Sequence, residues 1–337
     1  MSRNQFWVAL AAAAFCASPA SAQQGQPNQP GQPGQPGQPG ARMERLADGV
    51  YAIIHDATGE QFQSGNTGVV IGDEGVLVVD ATYLPSHAQA DIALIRSVTN
   101  KPVRYLVITH LHRDHNGGAS AYRDAFPGVA VVSGAQTREF IAINRAATAR
   151  SASENASLPR AERDELSSLR VVTPDVAVRH DLELFLGSRR VEVRNRGRAN
   201  SPEDVTVYLP AEGVLFGGDI VVQAPLPYTG ATWPVEWSAV LRDIESERVT
   251  ALMPGHGPVM RDMAYVRAVH ALIDGVTSQV ATFLGLSMTL DEIQQKIDVS
   301  HLRGGSSAWS AVALDDDWKA TVHALVERAW HELRGLD

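Results

Sequence analysis

The chain has 337 residues, ample material for one large domain with a buried core and no need of disulfide staples. Acidic residues outnumber basic ones, 38 to 29, for a formal charge of −9, which disfavours a broad nucleic-acid surface because phosphates reward clustered Lys and Arg. The only cysteine, Cys16, excludes a disulfide framework within the chain.

Arg3 precedes an apolar run from Phe6 to Ala17, and Ala20-Ser21-Ala22 then supplies the small-x-small spacing of a signal-peptidase site. Residues 1–22 are therefore expected to be a signal peptide, the run being too short for a stable membrane span. Cys16 follows the bulky Phe15, which argues against lipidation. Cleavage after Ala22 leaves a thiol-free chain, whose metals must be held by imidazole, carboxylate or amide groups. Residues 23–42 read as a linker, most of it QQGQPNQPGQPGQPGQPG, where regularly spaced proline without apolar periodicity favours an extended, hydrated tether.

The folded domain is expected over residues 43–337. Residues 50–54, 67–71 and 76–80 read as strands, the last two joined by the turn Gly72-Asp73-Glu74-Gly75. Residues 88–98 present a helical apolar face of Ile92, Leu94, Ile95 and Val98. The continuous apolar run at 105–109 reads as a buried strand. A helix at 118–126 and a strand at 129–132 continue the alternation, which favours a layered α/β architecture. Residues 137–170 are polar and alanine-rich, read as helices joined by a flexible piece at 151–159, an insertion able to cover a site. Strands are expected at 182–185, 190–193, 205–209 and 214–216, then helices near 237–246, 264–284, 290–297 and 318–333 that pack outside the sheet.

The chemistry gathers in Thr109-His110-Leu111-His112-Arg113-Asp114-His115-Asn116-Gly117-Gly118. Three imidazoles and a carboxylate fall within six residues after a buried strand, where a loop can turn all four inward. Imidazole nitrogen and carboxylate oxygen suit Zn²⁺, with Fe²⁺ and Mn²⁺ compatible. Downstream, Asp219 follows an apolar strand in FGGD, and His256 stands in the Pro/Gly-bounded MPGHGP. Alone, Asp219 could be a turn cap and His256 a structural hydrogen-bonding residue. With the HLHRDH segment they become ligand candidates.

The ordered pieces THLHRDHNGG, VTVYLP, VLFGGD and MPGHGP, within about residues 45–260, resemble the metallo-β-lactamase superfamily. The resemblance implies an α/β fold, the αβ/βα sandwich of two mixed sheets flanked by helices, with metals at one edge. It places His110 and His112 in the first metal position and Asp114, His115 and His256 in the second, with Asp219 as a bridging carboxylate. The family's remaining first-position histidine lies in a Gly-x-x-His-Thr/Ser-Pro-like segment, where Gly197-Arg198-Ala199-Asn200-Ser201-Pro202 puts Asn200 instead. An amide oxygen is a weaker zinc ligand than imidazole, so Asn200 is expected to be a weak ligand or to hold water.

Taken with the leader segment, the resemblance implies an exported, periplasmic or secreted hydrolase using one or two zinc ions, with iron or manganese as alternatives. Its substrate would be a small molecule carrying an ester, thioester, lactone or β-lactam carbonyl, attacked by a hydroxide whose pKa the metal depresses to about 7. Asp114 is the candidate catalytic carboxylate, orienting metal and nucleophile. Residues 219–223 lack the Lys that anchors the drug's carboxylate in cysteine-containing lactamases of the family, which ranks β-lactams second. The alternative is a metal-binding or catalytically impaired periplasmic scaffold protein, favoured by Asn200 and opposed by the rest of the donor set.

Overall fold

Strands buried on both faces are written as nearly continuous apolar runs, and such runs, VLVV at 76–79 and LVI at 106–108 among them, set the frame of this molecule. In the computed structural model, residues 41–55, 64–156, 158–223, 226–304, 309 and 315–336 are described. The expected signal peptide and residues 23–40 of the linker lie outside them. The first sheet contains β1 (Ala41–Ala47), β2 (Val50–His55), β3 (Thr67–Ile71), β4 (Val76–Val79), β5 (Val103–Ile108), β6 (Ala130–Gly134) and β7 (Val176–Val178), in that spatial order. Its first four strands pair antiparallel and the pairs from β4 to β7 are parallel. The second sheet runs β12 (Ala251–His256), β11 (Val214–Val222), β10 (Asp204–Leu209), β9 (Arg189–Gly197) and β8 (Asp181–Leu186), with only β11 and β12 parallel. Both sheets are therefore mixed.

Side-chain alternation sorts the strands' residues into layers. Leu77, Val79 and Val107 point into the space between the sheets, where they meet Val193, Val207, Phe216 and Met253. Val76, Val78, Leu106 and Ile108 point the other way, onto α1 (Pro85–Val98) and α3 (Ala119–Ala125) through Ile92, Ile95 and Tyr122. The outer face of the second sheet carries α6 (Pro234–Ser246), α7 (Ala264–Gly285) and α10 (Asp315–Leu333), packed through Trp237, Leu241, Leu272 and Leu325. Helix, sheet, sheet, helix is the sandwich that the sequence motifs imply.

Several elements differ from the expected ones. A strand already begins at Ala41, two residues inside the expected linker, and every residue from Ala41 to Arg45 has a partner on β2. Strand β7 is three residues long, too short to leave a periodic signal. The insertion forms α4 (Ala135–Glu154) and α5 (Arg160–Ser167), so helix continues into the stretch expected to be flexible. Leu158 and Leu166 seat the insertion on Tyr83 and Leu84. Among the described residues, no helix is long and apolar enough to cross a membrane.

Candidate metal centre

One loop with its helical turn and two strands deliver the donors. His110 and His112 follow β5, while Asp114 and His115 lie in a one-turn helix, α2 (Arg113–Asn116), where a loop is expected from the sequence. Asn116 stabilises that turn by donating Nδ2 to the carbonyls of Leu111 and His112, at 2.9 and 2.7 Å. Asp219 falls inside β11, which runs three residues beyond it. The pairing of β11 with β12 slips on either side of Gly218, whose φ of 53° suits glycine and re-aims the strand so that Asp219 faces the loops. His256 closes β12.

These six side chains come together in two groups. Asp114, His115, Asp219 and His256 form one, and His110, His112 and Asp219 the other, each with donor atoms mutually within 4.8 Å. Asp219 belongs to both. Its Oδ1 lies 3.1 Å from His115 Nε2, and its Oδ2 lies 3.5 Å from His110 Nε2. His256 Nε2 stands 3.0 Å from Asp114 Oδ2 and 3.3 Å from His115 Nε2, while His110 Nε2 and His112 Nδ1 are 2.9 Å apart.

The donor set fits divalent cations. Facing ring nitrogens at about 3 Å put lone pairs against each other unless a proton or a metal ion lies between them. Asp219 Oδ1, buried and charged, accepts no properly aligned hydrogen bond despite its closeness to His115, the pattern of an oxygen that awaits a cation. The amide oxygen of Asn200 is likewise buried without a hydrogen-bond donor, while its Nδ2 donates to the carbonyl of Tyr228 at 3.3 Å. Tyr228 in turn sets its ring edge-on to His112, with centroids 6.1 Å apart.

Electrostatics divide the rings. Burial, reinforced by the neighbouring His115, holds His110 well below the usual imidazole range. Burial also opposes charge on His115, but the carboxylates of Asp219, Asp114 and Asp80 outweigh it and raise that ring well above 6.5. For Asp219 the burial penalty is overcome by His115, His256 and His110, which hold the carboxyl far below the usual range. Beside it, Asp204 is pushed up to about 8, chiefly by burial.

One further contributor, Asp80, is not marked as functional by the sequence motifs. It ends the apolar run of β4 with φ 64°, and its Oδ1 accepts the Thr109 N–H at 2.8 Å. Its Oδ2 accepts the Thr109 hydroxyl at 2.9 Å and faces His115 Nδ1 at 2.8 Å. With its proton given to Asp80, the Thr109 oxygen accepts from His110 Nδ1 at 3.0 Å. Both rings are thereby held with Nδ1 protonated and Nε2 turned toward the site. A carboxylate at the end of an apolar strand is the clue the sequence offers.

Comparison with known proteins agrees with this architecture. A linear primary-alkylsulfatase from Pseudomonas sp. (strain ATCC 19151) is 21% identical over 264 residues, 68% of this chain, which spans only 49% of that relative's length. The metallo-beta-lactamase type 2 of Bacillus sp. (strain 170) is 24% identical over 200 residues, 58% of this chain and 67% of that protein. Among solved structures, a metallo-beta-lactamase from Pontibacter korlensis matches with TM-score 0.56 and 22% identity, covering 69% of this chain and 99% of the other. A stereoselective inverting sec-alkylsulfatase from Pseudomonas sp. matches with TM-score 0.64 and 16% identity, covering 88% of this chain and 51% of the other. The family model of the metallo-beta-lactamase superfamily matches residues 61–273, and the chain belongs to that superfamily.

Proposed function

We propose that this chain is an exported hydrolase that holds one or two zinc ions and cleaves an ester, thioester, lactone or β-lactam bond in a small molecule. The observation that carries this reading is the pair of donor groups sharing Asp219. His110, His112 and Asp219 would hold one ion, with Asn200 as a weak oxygen donor. Asp114, His115, His256 and the other oxygen of Asp219 would hold the second. A bound divalent ion supplies Lewis acidity and a water of depressed pKa.

The chain's own residues supply the rest. Asp114 is the most open of the carboxylates, its side chain 26% exposed against 7% for Asp219, so it is placed to accept the nucleophile's proton. Asp80 holds the Nδ1 side of His115 directly and that of His110 through Thr109, so that Nε2 of each ring faces the donor groups. Tyr228, 39% exposed beside His112, lines the approach and offers an aromatic face to a substrate.

A second reading is sulfate-ester hydrolysis at the same site. The likeness to the sec-alkylsulfatase extends over 88% of the chain, against 69% for the lactamase from Pontibacter korlensis. The deciding experiment is metal analysis of purified protein, followed by a screen of zinc-, iron- and manganese-loaded enzyme on thioesters, lactones, nitrocefin and alkyl sulfates. Stoichiometric metal with turnover of one class supports the proposal. Metal without turnover of any class would favour the scaffold alternative, and no metal uptake would overturn the metal-dependent hydrolase.

A further inference from the structure

The donors of the second group come from segments about 140 residues apart, yet His256 Nε2 must sit within about 3 Å of Asp114 and His115. Residues 64–66 span the gap between their loops. The Gly65 N–H donates to the carbonyl of Asp114 at 3.0 Å, and the Asn66 N–H donates to the carbonyl of Gly255 at 2.7 Å. Asn66 Nδ2 adds bonds to the carbonyls of Pro254 and Gly257, both at 2.9 Å, so this one residue holds the backbone on each side of His256. Gly65 passes so close to His115 that a built Cβ would lie 2.3 Å from the ring, and the strap therefore supports the imidazole from behind.

This strap is itself anchored by a buried polar pair outside the metal centre. The His55 N–H donates to Asn66 Oδ1 at 3.2 Å. The ring's Nδ1 meets the Gly65 carbonyl at 2.8 Å, and its Nε2 meets Asp91 Oδ1 at 3.0 Å. A carbonyl and a carboxylate both accept, so with Asp91 ionised the ring donates from both nitrogens. His55, Asp91, Ser64 and Asn66 are all nearly fully buried. In a low-dielectric interior such bonds are costly to leave unmade and fix one geometry.

We propose that Asn66, held by the His55–Asp91 pair, is a positioning residue for the second metal position, setting the span between Asp114/His115 and His256. The proposal rests on the metal-centre reading of the six donors. Outer partners of metal ligands are worth about 10- to 100-fold in affinity; Asn66 holds the backbone on both sides of His256 while its neighbour Gly65 bonds the Asp114 carbonyl.

The test measures zinc affinity by chelator competition in a His110→Ala/His112→Ala background, which leaves the second position alone. Asn66→Ser, His55→Gln and Asp91→Asn are each expected to weaken zinc by about tenfold or more. Cobalt-loaded protein should show an altered ligand-field spectrum in the same variants. Tyr208→Phe, which removes a bond to the Arg248 carbonyl away from the site, serves as the control for a general loss of stability and should bind zinc like its parent. If the strap variants fold and bind zinc as tightly as the parent, the proposal is overturned. If all three fail to fold, or Tyr208→Phe loses as much affinity as they do, the strap serves the fold and not the site, which also overturns it. Absence of zinc binding in the parent protein would instead sink the metal-centre reading.

Discussion

At Asp80 a single carboxylate holds three groups of the metal loop, the Thr109 amide, the Thr109 hydroxyl and His115 Nδ1. Asp80→Asn keeps the size but puts an amide where the loop supplies N–H and O–H donors, so some of those donors lose an acceptor. Zinc affinity should fall by about 10- to 100-fold, measured by chelator competition on folded protein. Wild-type affinity in Asp80→Asn would refute its role in fixing the rings. Asn200 invites the opposite change. Its buried oxygen has no hydrogen-bond donor, and Asn200→His would replace a weak amide donor with imidazole beside the His110/His112 group. Tighter first-position binding is expected in a metal titration of the two proteins. Equal affinity would reject the coordination defect, and tighter binding with slower turnover would point to chemistry run from a single ion.

Among the elements, α4 depends on a side chain from the loop that carries Asn200. Glu203 Oε2 accepts the N–H groups of Gln136 and Thr137 at 2.7 and 3.1 Å, capping the helix with a buried charge, and its Oε1 accepts Asn195 Nδ2. Glu203→Ala leaves those groups without partners and should cost about 1–3 kcal/mol in urea unfolding. A smaller contribution lies at Asp175, whose Oδ2 accepts from Arg123 at 2.5 Å and from the Val131 N–H at 2.8 Å. Partial burial works against its charge, but those bonds prevail and lower the carboxyl below 3.8. A depressed carboxyl contributes stability above its unfolded pKa and loses it as pH falls through the folded value. Asp175→Asn should therefore be less stable at pH 7, by under about 1 kcal/mol for so exposed a pair, and the difference should fade below about pH 4. These elements also mark what sequence could disclose. The runs at β4, β5 and β10 were legible because they are buried on both faces, and HLHRDH because its donors are adjacent in sequence. Strand β7 left no trace at three residues, and the extension of β11 past Asp219 was hidden by the Gly-Gly pair that bends it. Asn66 was unreadable, since its partners lie about 190 residues away and are backbone carbonyls with no sequence signature.

Across the whole molecule the donors straddle the two sheets. His110, His112, Asp114 and His115 follow β5 of the first sheet, whereas Asp219 and His256 belong to β11 and β12 of the second. Ions held between them would tie the sheets at the edge where the apolar interior ends, and an ion that binds only the folded protein stabilises it by mass action. At a free concentration one hundred times its Kd the gain is about 2.7 kcal/mol, enough to raise the unfolding midpoint of a domain this size by roughly 5 °C. Zinc-loaded protein scanned with and without excess chelator should show that shift. Asp219→Asn is the discriminating variant, because Asp219 alone stands in both donor groups, and weakening it should shrink the chelator effect more than the loss of any single histidine. The comparison uses the shift within each protein and not the midpoint itself, since the substitution also removes a buried charge that faces three imidazoles. A chelator shift in Asp219→Asn equal to that of the parent would show that the carboxylate does not join the two groups. In that case the metals would be held by the histidines and Asp114, His256 alone would reach them from the second sheet, and the shared carboxylate would have to be given up.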